Sequence, residues 1–303
     1  MKTLLSSPTK SLALEELNEQ EPNKSEALKQ MQDWLNTQPH ITCRRDNSFL
    51  LRFLRFQKYR LEEAKDQLIK YLKMREDNHL WFRNLDIRDP SLTTLIDGGY
   101  WFALPEKDKA GRRVFFNRSA ALDPSRNDNN EQMRAMIICF ESMLEDEENQ
   151  VRGFTYVMDE KDVGFSYLSL WTLGEVTKAI QCCEKTIPMR HKEVHFLNLS
   201  TALGALFEFV KSIMSDKMNS RMKVHSSLDS LYSVVDRQIL PKEYGGKVPM
   251  ATMIKQYREE MELVRSKVLS LDQMKIGKKV GTHNKLQRTI NKVQRSFKKI
   301  DID

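Results

Sequence analysis

The strongest constraint on the fold is a pair of short apolar runs, residues 154–158 and 194–199, which flank a stretch with helical periodicity at 167–187. Each run has the length and composition of a buried strand. A strand, a crossover helix and a second strand predict parallel neighbours with a right-handed connection. The turn-forming segment 107–111 predicts a hairpin of strands 100–104 and 113–116, and 223–225 is a candidate last strand. The sequence therefore predicts an α/β fold.

The region before this sheet is predicted to be helical. Apolar residues recur at helical spacing over 27–35, and Pro39 ends that element. Asp46 is a candidate N-cap for the next apolar run. We therefore predict a helical module at 25–90, an α/β domain at 91–250 and a helical extension at 251–274. A weakly ordered polar leader is predicted at 1–24, with room for a helical turn or two at 12–17.

The composition is typical of a globular protein outside the secretory pathway. Of the 303 residues, 40% are apolar and 30% are charged, which is enough for a substantial core. The longest uncharged stretches are too short to cross a bilayer, and the first residues do not have the pattern of a secretory leader. The four cysteines lack metal-type spacing and are expected to be reduced thiols: Cys43, Cys139, Cys182 and Cys183. We expect a cytoplasmic or peripheral membrane protein.

The sequence contains none of the common catalytic motifs. The pairs Gly98-Gly99 and Gly245-Gly246 lack the further glycines and the lysine of a nucleotide-binding loop. No serine lies in a nucleophile elbow. His191 is four residues from His195, but the strand-like run around them argues against a shared helix face for a metal. We therefore expect no catalytic residues, no metal ion and no cofactor, and we predict that the chain is not an enzyme.

Five segments carry a resemblance to a known family. They are FLLRFLRFQKY from Phe49, DGGY from Asp97, the pair Asp123-Pro124, VHFLN from Val194, and ILPKEYGG from Ile239. In this order they resemble the CRAL-TRIO lipid-binding proteins over residues 25–270, and most of all the branch of tocopherol-transfer and retinaldehyde-binding proteins. The resemblance implies a helical module and an α/β domain with a mostly parallel sheet. That sheet floors a hydrophobic cavity, which a movable gate helix closes.

The resemblance also implies the residues that enclose the ligand. The gate lies within 201–221 and has an apolar face made by Leu203, Leu206, Phe207, Val210 and Met214. The cavity wall is implied to contain Met133, Met136, Ile137, Phe140, Phe154, Tyr156, Met158, Phe165, Ile187, Met189 and Val194. For the gate residues, periodicity alone favours ordinary core packing, and only the resemblance favours a gate. Tocopherol binders have small hydroxyl residues where this chain has Met136 and Phe140, so we predict a drier pocket of a different shape.

A phosphoinositide site is implied beside the gate. The tocopherol-transfer relatives hold a phosphoinositide headgroup there with basic residues, and the matching positions are Arg190, Lys192, Lys217 and Arg221. Charge-assisted hydrogen bonds from four cations would favour a headgroup with several negative charges. Taken singly, each of these residues is ordinary solvated surface.

The last residues lie outside the resemblance and form a predicted basic amphipathic tail at 275–303. This tail has nine Lys or Arg and two acidic residues, which accounts for the whole net charge of +7. Its apolar residues recur at spacings of four and three: Leu286, Ile290, Val293, Phe297 and Ile300. We predict that it binds an anionic membrane. An acidic protein partner, a solvated tail and a helix packed on the body are the alternatives, and no specific nucleic acid is expected.

Two functions are compatible with these features. The first is intracellular binding and transfer of one small hydrophobic ligand between membranes, with phosphoinositide-assisted docking at endosomal or plasma membranes. The alternative is a phosphoinositide-binding trafficking or signalling adaptor whose tail recruits membrane or protein partners. The ligand stays open among tocopherol, retinoid, carotenoid, sterol and phospholipid, because one altered wall residue changes preference by about 1–3 kcal/mol.

Overall fold

The computed structural model describes residues 5–277, which begin with a helical region. Its elements are α1 (Ser7–Leu17), α2 (Asn23–Asn36), β1 (Ile41–Thr42), α3 (Asn47–Phe56), α4 (Leu61–Asp77), α5 (His79–Phe82) and α6 (Pro90–Asp97). Asp46 caps α3 as predicted, because its side chain accepts a hydrogen bond from the Phe49 amide at 3.1 Å. Helices α3 and α4 pack through aromatic rings, with the centroids of Phe53 and Tyr71 5.5 Å apart.

A five-stranded sheet follows, in the order β2–β3–β4–β5–β6. Its strands are β2 (Trp101–Lys107), β3 (Arg113–Arg118), β4 (Phe154–Asp159), β5 (His191–Leu197) and β6 (Met222–His225). Strands β2 and β3 form the predicted hairpin, and all other neighbours are parallel. The register places Tyr156 beside Val194 and Met158 beside Phe196. The predicted mostly parallel α/β sheet is therefore confirmed.

Helices connect and flank these strands. They are α7 (Asn129–Met143), α8 (Glu147–Arg152), α9 (Phe165–Leu168), α10 (Leu173–Gln181), α11 (Thr201–Ile213), α12 (Asp216–Asn219), α13 (Leu228–Tyr232) and α14 (Met250–Leu269). The single helix predicted at 167–187 is wrong. Thr172 and Glu175 form a capping box that begins α10 anew, and Cys182–Thr186 form one turn of π-helix after it.

The prediction of a weakly ordered leader is wrong for residues 7–17, which form α1. Ala13 and Leu17 are buried against Val151 of α8. Thr9 donates a hydrogen bond to Glu148 and accepts one from Arg152 Nε at 2.7 Å. Apolar burial and these polar contacts together hold α1 on α8.

The C-terminal boundaries also differ from the prediction. The helical extension contains α14 and a short 3-10 helix at Ser270–Gln273. Residues 275 and 276, which the sequence places in the basic tail, instead form strand β7 (Lys275–Ile276), which pairs antiparallel with β1 and has Ile276 opposite Ile41. The apolar pattern of the tail, from Leu286 onward, lies outside the described residues.

Buried ion pairs join the helical region to α7 and α8. Arg52 of α3 contacts Glu141 of α7 at 3.0 Å. Arg55, one turn later, contacts Glu19 at 2.7 Å and Glu147 at 2.9 Å, and its side chain is fully buried. Helix α7 therefore presents one face to these cations and has its other face available for the interior of the α/β domain.

Candidate functional site

Two adjoining cavities lie between the sheet and helices α7, α10 and α11. The outer cavity is about 290 Å³ and the inner one is about 240 Å³. They share a wall made by Trp101, Met136, Met158, Ile180 and Cys183. Methionine side chains adapt to irregular apolar shapes, so this shared wall can adjust to a ligand that reaches from one cavity into the other.

The inner cavity is apolar, and the one hydroxyl–imidazole pair on its wall is already bonded. The Nε2 atom of His191 lies 2.8 Å from the Cys183 carbonyl oxygen, which only accepts, so Nε2 carries the proton. The Tyr156 hydroxyl therefore donates to His191 Nδ1, at 2.7 Å. Burial lowers the pKa of His191 and raises the pKa of Tyr156, which keeps both groups neutral. This end of the site suits hydrocarbon.

The outer cavity has a polar edge. The Trp171 indole and the Tyr100 hydroxyl both donate to Gln132 Oε1, each at 3.2 Å. Because an indole N–H only donates, the atom that faces it is the amide oxygen. The Gln132 Nε2 group consequently has no partner among the residues that the structure describes. Glu160 lines the same cavity and accepts a hydrogen bond from Ser119 at 2.8 Å, and burial raises the pKa of Glu160.

Helix α11 covers both cavities with one face. Leu203 and Leu206 line the outer cavity, and Val210 and Met214, just past the end of the helix, line the inner one. Their spacing of three or four residues places them on one side of the helix. The structure thus brings four of the five predicted gate residues to the cavities. Phe207 instead packs on Phe196, with ring centroids 5.1 Å apart.

A basic cleft of about 560 Å³ lies beside these cavities. Arg190, Lys192, Lys217 and Arg221, the four predicted headgroup residues, all line it, together with Lys58 after α3. The start of β5, helix α12 and the residue before β6 position the four. The Arg190 guanidinium also donates to the Val151 carbonyl oxygen, and that of Arg221 donates to the His191 carbonyl oxygen. Backbone contacts therefore hold both guanidinium groups at the cleft.

Like charges are crowded in this basic cleft. Burial and the nearby Arg221 and Lys58 lower the pKa of Lys217. Burial and the nearby Arg190 lower the pKa of Arg221. An anion placed among these cations would relieve both effects, since opposite charge favours the protonated form of each cation.

Five of the eleven predicted wall residues do not line either cavity. Ile137 and Ile187 are buried core residues. Ile137 follows Met136 by about a third of a helical turn, so the two side chains lie on different faces of α7. Phe154 stacks on Phe115 at 5.2 Å, so the Phe115 ring covers it. Phe165 begins α9 and is 78% exposed, and Met189 lines the basic cleft. The six that do line a cavity are Met133, Met136, Phe140, Tyr156, Met158 and Val194.

Several site residues were not predicted. Trp101 and Cys183 belong to the shared wall, and Gln132 and Glu160 form the polar edge of the outer cavity. Gln132 lies one residue before the predicted Met133 on α7, and a search for polar residues beside the predicted wall would have found it. Glu160 lies two residues after the apolar run 154–158, and no pattern in the sequence marks it as a site residue.

Neither a metal-binding cluster nor a membrane-spanning helix is found in the described part of the chain. Across residues 5–277, no three His, Cys, Asp or Glu side chains are close enough together to hold a metal ion. None of the helices in this range is both long and apolar enough to span a bilayer.

Comparisons with known proteins give consistent matches. The profile of the CRAL/TRIO domain matches residues 97–246, and that of the Pinta-like UBA domain matches residues 20–92. Clavesin-1 of Xenopus laevis is 32% identical over 236 residues, which are 77% of this chain and 71% of that protein. Clavesin-2 of Homo sapiens is 31% identical over 247 residues, or 81% and 76%. The crystal structure of Sfh5 aligns with 73% of this chain and 80% of its own, with 15% identity and a TM-score of 0.46.

Proposed function

The chain belongs to the CRAL/TRIO domain family, a family of lipid-binding proteins, and we propose that it binds one hydrophobic ligand and transfers it between membranes. The observation that carries the proposal is the pair of adjoining apolar cavities beneath α11. In this proposal the ligand is released unchanged. The chain acts as a carrier, not as an enzyme, and it needs no cofactor.

The two cavities support a ligand of a particular shape. The hydroxyl–imidazole pair of the inner cavity is already bonded, so that end favours a hydrocarbon tail. The outer cavity is lined by Glu160 and by Gln132, whose buried Nε2 donor has no partner in the described chain, and both side chains suit an uncharged polar group. We therefore propose an elongated lipid with its neutral polar end at Gln132 and its tail toward Val210.

Helix α11 is the proposed gate. It contributes wall residues to both cavities, so an outward movement of this one element would open both at once. Membrane docking at the basic cleft would place the protein next to the bilayer that receives the ligand. The cluster of cations supports an anionic phosphoinositide headgroup as the docking group. We propose that the association with endosomal or plasma membranes is peripheral and transient.

Native mass spectrometry after incubation with a mixed lipid extract tests the carrier proposal. We expect one releasable lipid per chain. Cys183→Trp, which fills the shared wall, should abolish occupancy, and Leu263→Trp, at a site 84% exposed, should not. Equal occupancy in the wild type and Cys183→Trp would remove the cavities as the ligand site. A persistently empty wild type that still binds phosphoinositide vesicles would favour the adaptor function.

Vesicle cosedimentation tests the docking proposal separately. Lys217→Ala combined with Arg221→Ala should weaken binding to vesicles that contain phosphatidylinositol bisphosphate by about tenfold or more, because two charge-assisted contacts are lost. The ligand should stay in the cavity. Unchanged vesicle binding would remove the basic cleft from the proposed function.

A further inference from the structure

One carboxylate of the chain already occupies part of the basic cleft. Glu16, near the end of α1, accepts a hydrogen bond from Lys192 Nζ at 2.7 Å and a second from the Arg190 guanidinium. Both bonds reach the same atom, Glu16 Oε2. Residues 16 and 190 are 174 positions apart in the chain, so tertiary docking of α1 brings this anion to the cleft.

The contacts of Glu16 divide the cations into two pairs. Arg190 and Lys192 are paired with this carboxylate. Lys217 and Arg221 line the same cleft and are within the electrostatic influence of Glu16, but within residues 5–277 they form no direct ion pair. One pair is therefore neutralised in part by an internal anion, and the other pair is open to an external one.

The position of Glu16 does not depend on its own ion pairs alone. Helix α1 is held to α8 by the contacts of Thr9 and by the burial of Ala13 and Leu17. Partial burial tends to raise the pKa of Glu16, but the hydrogen bonds from Lys192 and Arg190 outweigh it and lower the pKa to about 2. Glu16 is thus a full negative charge at neutral pH, presented by a docked helix.

We propose that Glu16 determines how many phosphate groups of a headgroup bind the cleft without competition from a carboxylate of the protein itself. This inference rests on the proposed headgroup site and deepens it. The first phosphate of a headgroup binds the open pair, Lys217 and Arg221. A second phosphate reaches Arg190 and Lys192 only by replacing the Glu16 carboxylate, as one anion exchanged for another. Glu16 therefore weakens the contribution of the second phosphate more than that of the first, because only the second has to replace a direct contact of the carboxylate.

The test compares Glu16→Gln with Glu76→Gln. Both changes alter the net charge equally, but Glu76 is exposed on α4, does not line the cleft and forms no ion pair in the described chain. Binding is measured to phosphatidylcholine vesicles that contain phosphatidylinositol monophosphate or bisphosphate. Glu16→Gln should tighten bisphosphate binding about three- to tenfold and monophosphate binding less than about twofold. Glu76→Gln should change both by less than about twofold.

Other outcomes overturn the inference. Equal tightening for both lipids would mean that the cleft is one undivided site. No change, or weaker bisphosphate binding in Glu16→Gln, would mean that the carboxylate does not compete or instead organises the cations. Soluble inositol monophosphate and bisphosphate should reproduce the selective effect, and an effect confined to vesicles would assign it to the membrane surface and overturn the proposal.

Failure of the docking proposal gives a different result. If the Lys217→Ala and Arg221→Ala double variant binds bisphosphate vesicles as tightly as the wild type, the cleft is not the headgroup site, whatever Glu16→Gln does. If the double variant loses binding and Glu16→Gln behaves like Glu76→Gln, the headgroup site stands and only the role of Glu16 is overturned.

Discussion

Arg55 is the position where one substitution should most weaken the junction between the helical region and the α/β domain. Its side chain is fully buried and binds Glu19 with two nitrogens, at 2.7 and 2.8 Å. It also binds Glu147 at 2.9 Å and the side-chain oxygen of Gln150 at 2.7 Å. In Arg55→Met, Glu19 would retain only Lys24, at 3.1 Å, and Glu147 would lose its one ion pair within the described chain.

The expected cost follows from the burial of these carboxylates. Glu19 is 5% exposed and Glu147 is 11% exposed at the side chain, so water cannot replace the lost guanidinium. Removal of one partner from a buried ion pair costs about 3–5 kcal/mol. Domains are stable by about 5–15 kcal/mol, so Arg55→Met should lose a large part of the free energy of unfolding.

Urea unfolding of Arg55→Met and of a matched control measures this cost. The control is Arg88→Met, which breaks an ion pair with Glu262 whose side chains are 64% and 37% exposed. Exposed pairs contribute about 0–1 kcal/mol, so the control should unfold almost like the wild type. The argument would be refuted by an Arg55→Met variant within about 1 kcal/mol of Arg88→Met. In a double-mutant cycle, Arg55→Met and Glu19→Gln together should cost less than the sum of the two.

Three further predictions concern the elements around the two sites. Gly153→Ala should lower the free energy of unfolding by about 2–4 kcal/mol, because Gly153 has φ +82° and a Cβ there would lie 2.3 Å from the Arg190 carbonyl oxygen. Unchanged stability in thermal unfolding would contradict this close approach. Gly204→Ala should stabilise α11 by about 1 kcal/mol, because alanine favours the helix and a Cβ there meets no atom within 4 Å. If α11 is the gate, the more stable helix should slow ligand transfer between vesicles. Faster transfer would argue against α11 as the gate. The pKa of Glu16 is lowered from 4.5 to about 2 in the folded chain. The free energy that its ion pairs contribute to holding α1 in place is therefore fully present above about pH 4.5 and is lost as the pH falls toward 2. Pepsin cleavage within residues 7–17 should rise over that range in the wild type and depend less on pH in Glu16→Gln.

The sheet was predictable because its signals are local. The runs at 154–158 and 194–199 are continuous and apolar, and a parallel strand buried on both faces needs such a run. The family was predictable for a similar reason, since five motifs occur in order, and the CRAL/TRIO profile confirms it. The tocopherol-transfer and retinaldehyde-binding branch stays a prediction. The break within 167–187 was not predictable from periodicity, because the capping box at Thr172 lies inside an otherwise helical pattern.

The cavity wall was only partly predictable, because a matched position does not state which way a side chain points. Met136 and Ile137 are neighbours on α7, and one lines both cavities while the other is buried in the core. Tyr156 and Phe154 share a face of β4, but the Phe115 ring covers Phe154. These differences depend on the packing of distant segments, and the polar edge at Gln132 depends on such contacts too.

The basic cleft shows most clearly where a resemblance stops being informative. The resemblance implies four cations, and the structure brings them together in one cleft from the start of β5, from α12 and from the residue before β6. The resemblance begins at residue 25, so it implies nothing about Glu16. The apolar face of α1 is sparse, and Ala13 and Leu17 become core residues only against Val151. Four matched cations alone would describe an open anion site, whereas the carboxylate from α1 leaves one pair open and one pair occupied. The electrostatics of the basic cleft therefore depend on a segment whose sequence, taken alone, gives little indication of an ordered role.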